Sequence, residues 1–402
     1  MFHEEIVALR LFEVQKKLDF ELTRYTKDES YGRMMAIPQW NKRRKSPEAP
    51  LSEEQQRFIA NEIIMSTWDF DYWLRRYSLV IAPEGKKVRF VPWESQLIGM
   101  KHIADGEYRS WKEHRANGWV WLKARQLGAT QLAQNIMLHR LAFHAHQRGA
   151  IASDAPTPTA RLLRRFTGIL DNMPWWMKPS ISDRVKTDEG EAIFFDVLNS
   201  SLIIGHGRKM GGGIAQGDST NVFHFTELPD WQNFGQIDAD FLPTFHALPN
   251  NVGIIESTAR SRRDDFHDLF QRAWDGHDSK LSAMFIPYYA HSTLYRRNPP
   301  EGWSPNKITQ EHIKKVEKLS PGYCHGRTVY LPDEQAYWWE IEYTNAARQK
   351  KKSVFLSEYA SDHYEAFQHQ SIGMFSGDLI EHFERKALAK GYKLFHLPAG
   401  DE

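Results

Sequence analysis

From about residue 88 to residue 287 the chain alternates short apolar runs with longer amphipathic ones. That texture leaves little besides an α/β core on a mostly parallel sheet, because parallel neighbours need long return connections and buried strands read as continuous apolar runs. The runs fall at 119–122, 150–153, 192–195, 202–204, 222–225, 252–255 and 284–287. Helical periodicity falls between them at 131–146, 160–170 and 264–274. Before this core, a mainly helical region (1–80) has an amphipathic start and a basic, proline-flanked stretch at 38–50. After the core (81–290) comes a proline-punctuated, then helical, segment at 291–375, read as a small peripheral lid-like subdomain, and a tail at 376–402.

Composition bounds the class. A chain of 402 residues with 41% hydrophobic and 13% aromatic content has too much apolar mass for disorder and enough length for two or three substructures. Lys plus Arg number 52 against 51 Asp plus Glu, so a polyanion-binding surface has to be a local patch. The single cysteine, Cys324, excludes an internal disulfide framework and a cysteine-rich zinc site. No signal peptide is legible at the N-terminus, and no run of about 18 apolar residues marks a membrane span.

One segment carries chemistry in every part. Gly118-Trp119-Val120-Trp121-Leu122 is an apolar strand, and Lys123-Ala124-Arg125-Gln126-Leu127-Gly128-Ala129-Thr130 turns from it into an amphipathic helix. Such a turn cradles phosphate: loop N–H groups and the positive helix end bind oxygens, glycine lets the backbone approach, and a Thr hydroxyl can sit on Mg²⁺. Two positions differ from G-x-x-x-x-G-K-[ST]: Lys123 replaces the first glycine and Ala129 the phosphate-binding lysine. Lys123 restores the function if its ammonium reaches back over the loop to the β- and γ-phosphates. Taken alone, the segment also reads as an ordinary strand-turn-helix.

Two more strand ends complete the set. The run 222–225 leads to Thr226-Glu227, where phosphate-hydrolysing enzymes place a carboxylate to orient the attacking water, preceded by an Asp near Mg²⁺. Thr226 can replace that Asp only through a metal-bound water, so Glu227 is the expected catalytic residue. The run 252–255 ends in Glu256-Ser257-Thr258-Ala259-Arg260, whose hydroxyls suit either γ-phosphate sensing or a helix N-cap. Upstream, Gln96 offers an amide that could pair with an adenine edge, or it belongs to a loop leading into a helix.

In series, the aromatic-Pro…Gln segment, K-A-R-Q-L-G-A-T, G-D-S-T-N-V-F-H-F-T-E-L-P-D-W, E-S-T-A-R and F-L-S-E-Y-A-S-D-H-Y-E-A-F resemble the large subunit of tailed-phage terminases over roughly residues 69–375. The family loop commonly reads K-x-R-Q-x-G-x-[ST], which accounts for both departures in the loop. Gln216 stands where an arginine near glycine is expected, and Asp230 where many relatives are apolar.

The resemblance implies a P-loop NTPase fold of the additional-strand class, with a mostly parallel central sheet flanked by helices. It implies binding of ATP and Mg²⁺ through Gln96, Lys123, Arg125, Gln126, Leu127, Gly128, Ala129 and Thr130, with Thr130 on the metal. Glu227 and Arg125 are then catalytic, and Ser257, Thr258 and Ala259 couple hydrolysis to motion. Implied partners are double-stranded DNA, a portal protein, a small terminase subunit and sister copies in a ring. The place of action is the procapsid portal in the host cytoplasm, and the motor is absent from the mature virion. Family members carry a nuclease domain beyond the stretch matched by 355–375, and the residues after it here are too few for one. ATP hydrolysis without DNA cleavage is therefore expected.

Two other readings stay open: a helicase-like translocase on the same core, and a non-hydrolysing DNA-binding or assembly protein with a decayed loop. Arg260, Arg262 and Arg263 are candidates for a finger serving a neighbouring subunit. The basic clusters at 42–45, 161–165 and 350–352 are candidate phosphate contacts or solvated faces.

Overall fold

A computed structural model of the chain describes residues 53–82, 85–174, 177–179, 181–187, 190–195, 198–207, 220–231, 235, 239, 241–246, 248, 251–260, 264–367 and 386. The amphipathic start, the basic stretch at 38–50, Gln216, Arg262, Arg263 and the tail other than residue 386 lie outside them.

In chain order the elements begin with helices α1 (Glu53–Trp68) and α2 (Phe70–Tyr77), strands β1 (Leu79–Ile81) and β2 (Lys87–Arg89), and helix α3 (Glu94–Glu113). Next come β3 (Gly118–Lys123), α4 (Ala129–Phe143), β4 (Arg148–Ser153) and α5 (Pro156–Asn172). Five strands follow: β5 (Asp183–Thr187), β6 (Gly190–Phe195), β7 (Ser200–His206), β8 (Val222–Thr226) and β9 (Val252–Ser257). Then come α6 (Asp265–Trp274), β10 (Leu281–Ile286) and the helices α7 (Lys307–Tyr323), α8 (Asp333–Arg348), α9 (Lys352–Glu358) and α10 (His363–Ala366). No helix among the described residues is long and apolar enough to cross a membrane.

The chain divides into two compact units. The first takes residues up to 90, 135–149 and 164–203. In it β1 and β2 form a short antiparallel pair, and β5 and β6 another with Asp183 opposite Phe194. Trp73 and Phe143, both fully buried, meet edge to face at 5.9 Å, and a ring nitrogen of His139 bonds the Ser66 carbonyl at 2.7 Å. Strands β2 and β5 are short and carry Lys, Arg or Asp on exposed faces, and β1 is an apolar run of only 3 residues, so none of them stands out in the sequence.

The second unit takes 91–134, 150–163 and residues from 204 onward, and it holds the sheet that positions the site. Its strands follow the order β10-β3-β9-β8-β4. The pairings β10–β3, β3–β9 and β9–β8 are all parallel. Every residue of β3, β8 and β9 is buried, which is why each reads as a continuous apolar run. Strand β9 lies between β3, which feeds the loop, and β8, which ends at Glu227. This is the inserted strand for which the additional-strand class is named. Helix α6 packs on β3 and β10, and α3 on β10. The helix anticipated beyond Gln96 is α3, 20 residues long, and it already includes Gln96 in its first turn rather than following a loop that holds it.

Under the sheet, Phe223, Phe225, Phe241, Phe245 and Trp231 form one aromatic cluster with ring centroids 4.8–5.4 Å apart. Gly253, opposite Phe223 in the β8–β9 ladder, makes room for it: a Cβ there would lie 2.2 Å from the Phe223 ring. Replacing Gly253 with Ala is expected to cost about 1–3 kcal/mol by overpacking, read as a lower urea midpoint with an unchanged slope.

Candidate active site

Where β3 ends, Lys123 is its last residue and Ala124 continues the ladder through an N–H bond to the Ile286 carbonyl (2.9 Å). The chain then turns through two residues of positive φ, Gln126 (57°) and Gly128 (73°), before α4 starts at Ala129. Gln126 is exposed, while Leu127 is buried and its carbonyl accepts from Ser95 Oγ at 3.0 Å. Gln96 braces the loop: its amide nitrogen donates to the Gly128 carbonyl (2.8 Å) and its oxygen accepts the Trp93 N–H (2.8 Å). In this arrangement the Gln96 amide holds the loop rather than standing open toward a base. Gly128 is required twice over, by its positive φ and because a Cβ would lie 2.4 Å from Gln96 Nε2.

The loop side chains converge on a residue of the next strand. Lys123 Nζ lies 3.1 Å from Glu256 Oε2, and Thr130 Oγ1 donates to Glu256 Oε1 at 2.6 Å. Glu256 is wholly buried on β9, where it pairs in register with Trp121 on one side and Thr226 on the other. A third neighbour is His224 of β8, whose Nε2 lies 3.4 Å from Glu256 Oε1 while its Nδ1 meets Gln134 Nε2 at 2.7 Å. A proton on His224 Nε2 suits both contacts, since the Gln134 amide nitrogen is a donor. Burial pushes the Glu256 carboxyl up, but Lys123, His224 and Thr130 together outweigh it and bring it down to about 2. It is therefore ionised throughout the neutral range. Glu256 Oε2 accepts no hydrogen bond beyond its ion pair.

Glu227 follows β8 directly. Its φ of 57° is unusual for a residue with a side chain, and its N–H bonds the Glu256 carbonyl at 3.2 Å. Desolvation by the surrounding protein raises its carboxyl above the usual value; Lys123 opposes the shift, Glu256 adds to it, Arg260 opposes it and Asp230 adds to it. Arg260 reaches across to Asp230 at 3.0 Å and to Glu227 Oε2 at 3.8 Å. In this chain Arg260 thus lies beside the glutamate within its own subunit. The Thr226 carbonyl accepts from Trp231 Nε1 at 3.0 Å. Ser257 and Thr258 are buried, with Ser257 Oγ donating to the Thr258 carbonyl at 2.9 Å, and Ala259 is buried beside them.

Arg125 points elsewhere. Its guanidinium pairs with Glu358 at 3.2 Å, its N–H bonds the Glu358 carbonyl at 3.1 Å, and its own carbonyl accepts from the Tyr295 hydroxyl. The loop is thereby tied to the segment after residue 290, where Tyr295 and Tyr359 pack against Trp338 with ring centroids 5.0 and 5.2 Å away. The structure brings Lys123, Thr130 and Glu227 to one place, around the carboxylate of Glu256, which opens the E-S-T-A-R segment and to which sequence reasoning gave no role of its own.

No family model matches the sequence, and no curated protein does. Among solved structures, the chain is similar to the large terminase of bacteriophage HK97, at TM-score 0.48 and 13% identity over 74% of this chain. It spans 55% of that terminase's length. It is also similar to the large terminase of a thermophilic bacteriophage in complex with ADP, at TM-score 0.37 and 10% identity over 60% of this chain and 54% of that one. A third similar structure is the Hef helicase domain of Pyrococcus furiosus, at TM-score 0.31 and 12% identity over 75% and 66% of the two chains.

An alanine at Gly128 has to hold a positive φ, a strain of about 1–2 kcal/mol, and displaces Gln96. Gly128→Ala is expected to lower the melting temperature, with far-ultraviolet circular dichroism unchanged.

Proposed function

We propose that this chain is a Mg²⁺-dependent ATPase, the motor part of a terminase large subunit, which drives double-stranded DNA into a procapsid. The observation that carries the reading is the convergence of Lys123 and Thr130 on one buried anion at the mouth of a glycine-containing strand-loop-helix turn, with Glu227 on the adjoining strand end. Supporting it is the ordered series of five sequence segments that resembles the terminase large subunits.

In this reading Lys123 leaves Glu256 for the β- and γ-phosphates, and the loop N–H groups and the start of α4 take the remaining phosphate oxygens. Glu227, in its ionised form, orients the attacking water and accepts its proton. Mg²⁺ fits beside Thr130, because a hydroxyl already faces an ionised carboxylate there, and the carboxylate's Oε2 accepts no hydrogen bond. When bound, the ion supplies charge neutralisation at the phosphates. Arg125, tied to Glu358 and Tyr295, passes the loop's state to the segment after residue 290, while Ser257 to Ala259 report loss of the γ-phosphate from the other side. The partners are duplex DNA, a portal protein, a small terminase subunit and sister copies in a ring.

Thr226, which lacks the usual charge, favours the alternative of a non-hydrolysing assembly protein. ATPase assays with and without DNA and a portal protein separate the two, since the inert alternative hydrolyses nothing in either.

Glu227→Gln is expected to bind ATP with unchanged affinity and to lose turnover by about 100-fold or more. Turnover at the wild-type rate rules out the assignment. The ionised form of Glu227 is the active one and its carboxyl is raised, so kcat should fall on the acid side at a pH above the ordinary carboxylate range. Removing the opposing positive charge with Arg260→Ala is expected to move that acid limb to still higher pH.

A further inference from the structure

We propose that Glu256 supplies the metal-side carboxylate of the nucleotide site, taking over from one strand away the charge that Thr226 cannot provide. The inference rests on the ATPase reading above and assigns one residue within it.

Thr226 and Glu256 are partners in the parallel β8–β9 ladder, so their side chains leave the sheet on the same face, one strand spacing of about 4.8 Å apart. Strand β9 lies between β8 and the loop strand β3, so the shift carries the carboxylate toward the loop rather than away from it. Its side chain ends on the residue meant for the metal: Thr130 Oγ1 donates to Glu256 Oε1 at 2.6 Å.

Chemistry agrees with placement. Mg²⁺ bound with substrate phosphates takes only one or two carboxylates from the protein and fills its remaining positions with hydroxyl and water. Thr130 and Glu256 form that minimal set. The Glu256 carboxyl is completely buried, and its Oε2 has an ion pair with Lys123 but no hydrogen bond among the described residues. Transfer of Lys123 to incoming phosphate leaves a buried anion that needs a cation. Thr226, by contrast, is neutral at any working pH. A purely structural Glu256 would hold Lys123 in line and have no bearing on metal.

The test uses the full chain and a fluorescent ADP analogue, titrated in EDTA and in saturating Mg²⁺. The wild type is expected to bind roughly tenfold or more tightly with the metal, a gain of about 1.4 kcal/mol. In Glu256→Gln the metal-bound and metal-free affinities should converge within about twofold, whatever the metal-free affinity of the variant. The double variant Thr226→Asp/Glu256→Gln, which restores a carboxylate one strand over, should recover the metal gain. Mn²⁺ electron paramagnetic resonance on the same proteins counts bound ion without reference to turnover, and thermal melts monitor folding. Should Glu256→Gln fail to fold, Glu256→Asp takes its place, with the ratio of metal-bound to metal-free affinity reduced. A wild-type metal gain in folded Glu256→Gln, or in Glu256→Asp used in its place, overturns the assignment, as does failure of a folded double variant to recover any of it. A wild type that binds no adenine nucleotide in either condition overturns the ATPase reading and this assignment together; nucleotide binding with a metal gain that ignores Glu256 overturns the assignment alone.

Discussion

The buried ion pair between Lys123 and Glu256 is the constraint on which the site depends. Both groups are nearly or wholly out of water, and each would be costly there without the other. Removing one partner of such a pair typically costs about 3–5 kcal/mol, because the survivor is left as an uncompensated buried charge. The pair therefore fixes the relative position of β3 and β9 at their C-terminal ends. It also holds a lysine at the mouth of the loop when the loop itself has none at the usual place. Thr130 and His224 complete the arrangement, one donating to Glu256 Oε1 and the other standing 3.4 Å from it.

From that pair the remaining parts are placed by backbone geometry. Glu227 hangs from the Glu256 carbonyl by its own N–H, in a left-handed conformation that turns the chain sharply at the strand end. Such backbone strain persists only where surrounding contacts enforce it, and it concentrates at functional positions. Gly128 and Gln96 lock the loop's far side, and Arg125, Glu358 and Tyr295 fasten its outer edge to the segment after residue 290. The loop is thus joined to two further parts: through the Lys123–Glu256 pair to β9, and through Arg125 to Glu358 at the end of α9.

Much of this was legible beforehand, and for a clear reason. The runs at 119–122, 222–225 and 252–255 are parallel strands buried on both faces, so their apolar character announces them, and they are β3, β8 and β9. The helices expected at 131–146 and 264–274 are α4 and α6, with ends shifted by a few residues. What escaped were β2 and β5, which are short and exposed with charged residues in place of an apolar run, and β1, whose apolar run is only 3 residues long. The bracing use of Gln96 also escaped, since an amide reads the same in sequence whether it faces a base or a backbone carbonyl.

Sequence by itself determined the fold class, the position of the loop and the identity of the carboxylate after β8, because hydrophobic periodicity and turn chemistry are local. It also placed Lys123 and Thr130 in one segment. Only the tertiary structure decided what those two residues face. Glu256 lies 126 positions from Thr130 in the chain, and its meaning depends on strand order: β9 sits between β3 and β8, a fact of sheet topology that no local pattern encodes. Burial then turns the glutamate that opens E-S-T-A-R into the charge at the centre of the site, because a carboxylate enclosed among apolar strands stays ionised only where a lysine, a histidine and a hydroxyl are brought to it.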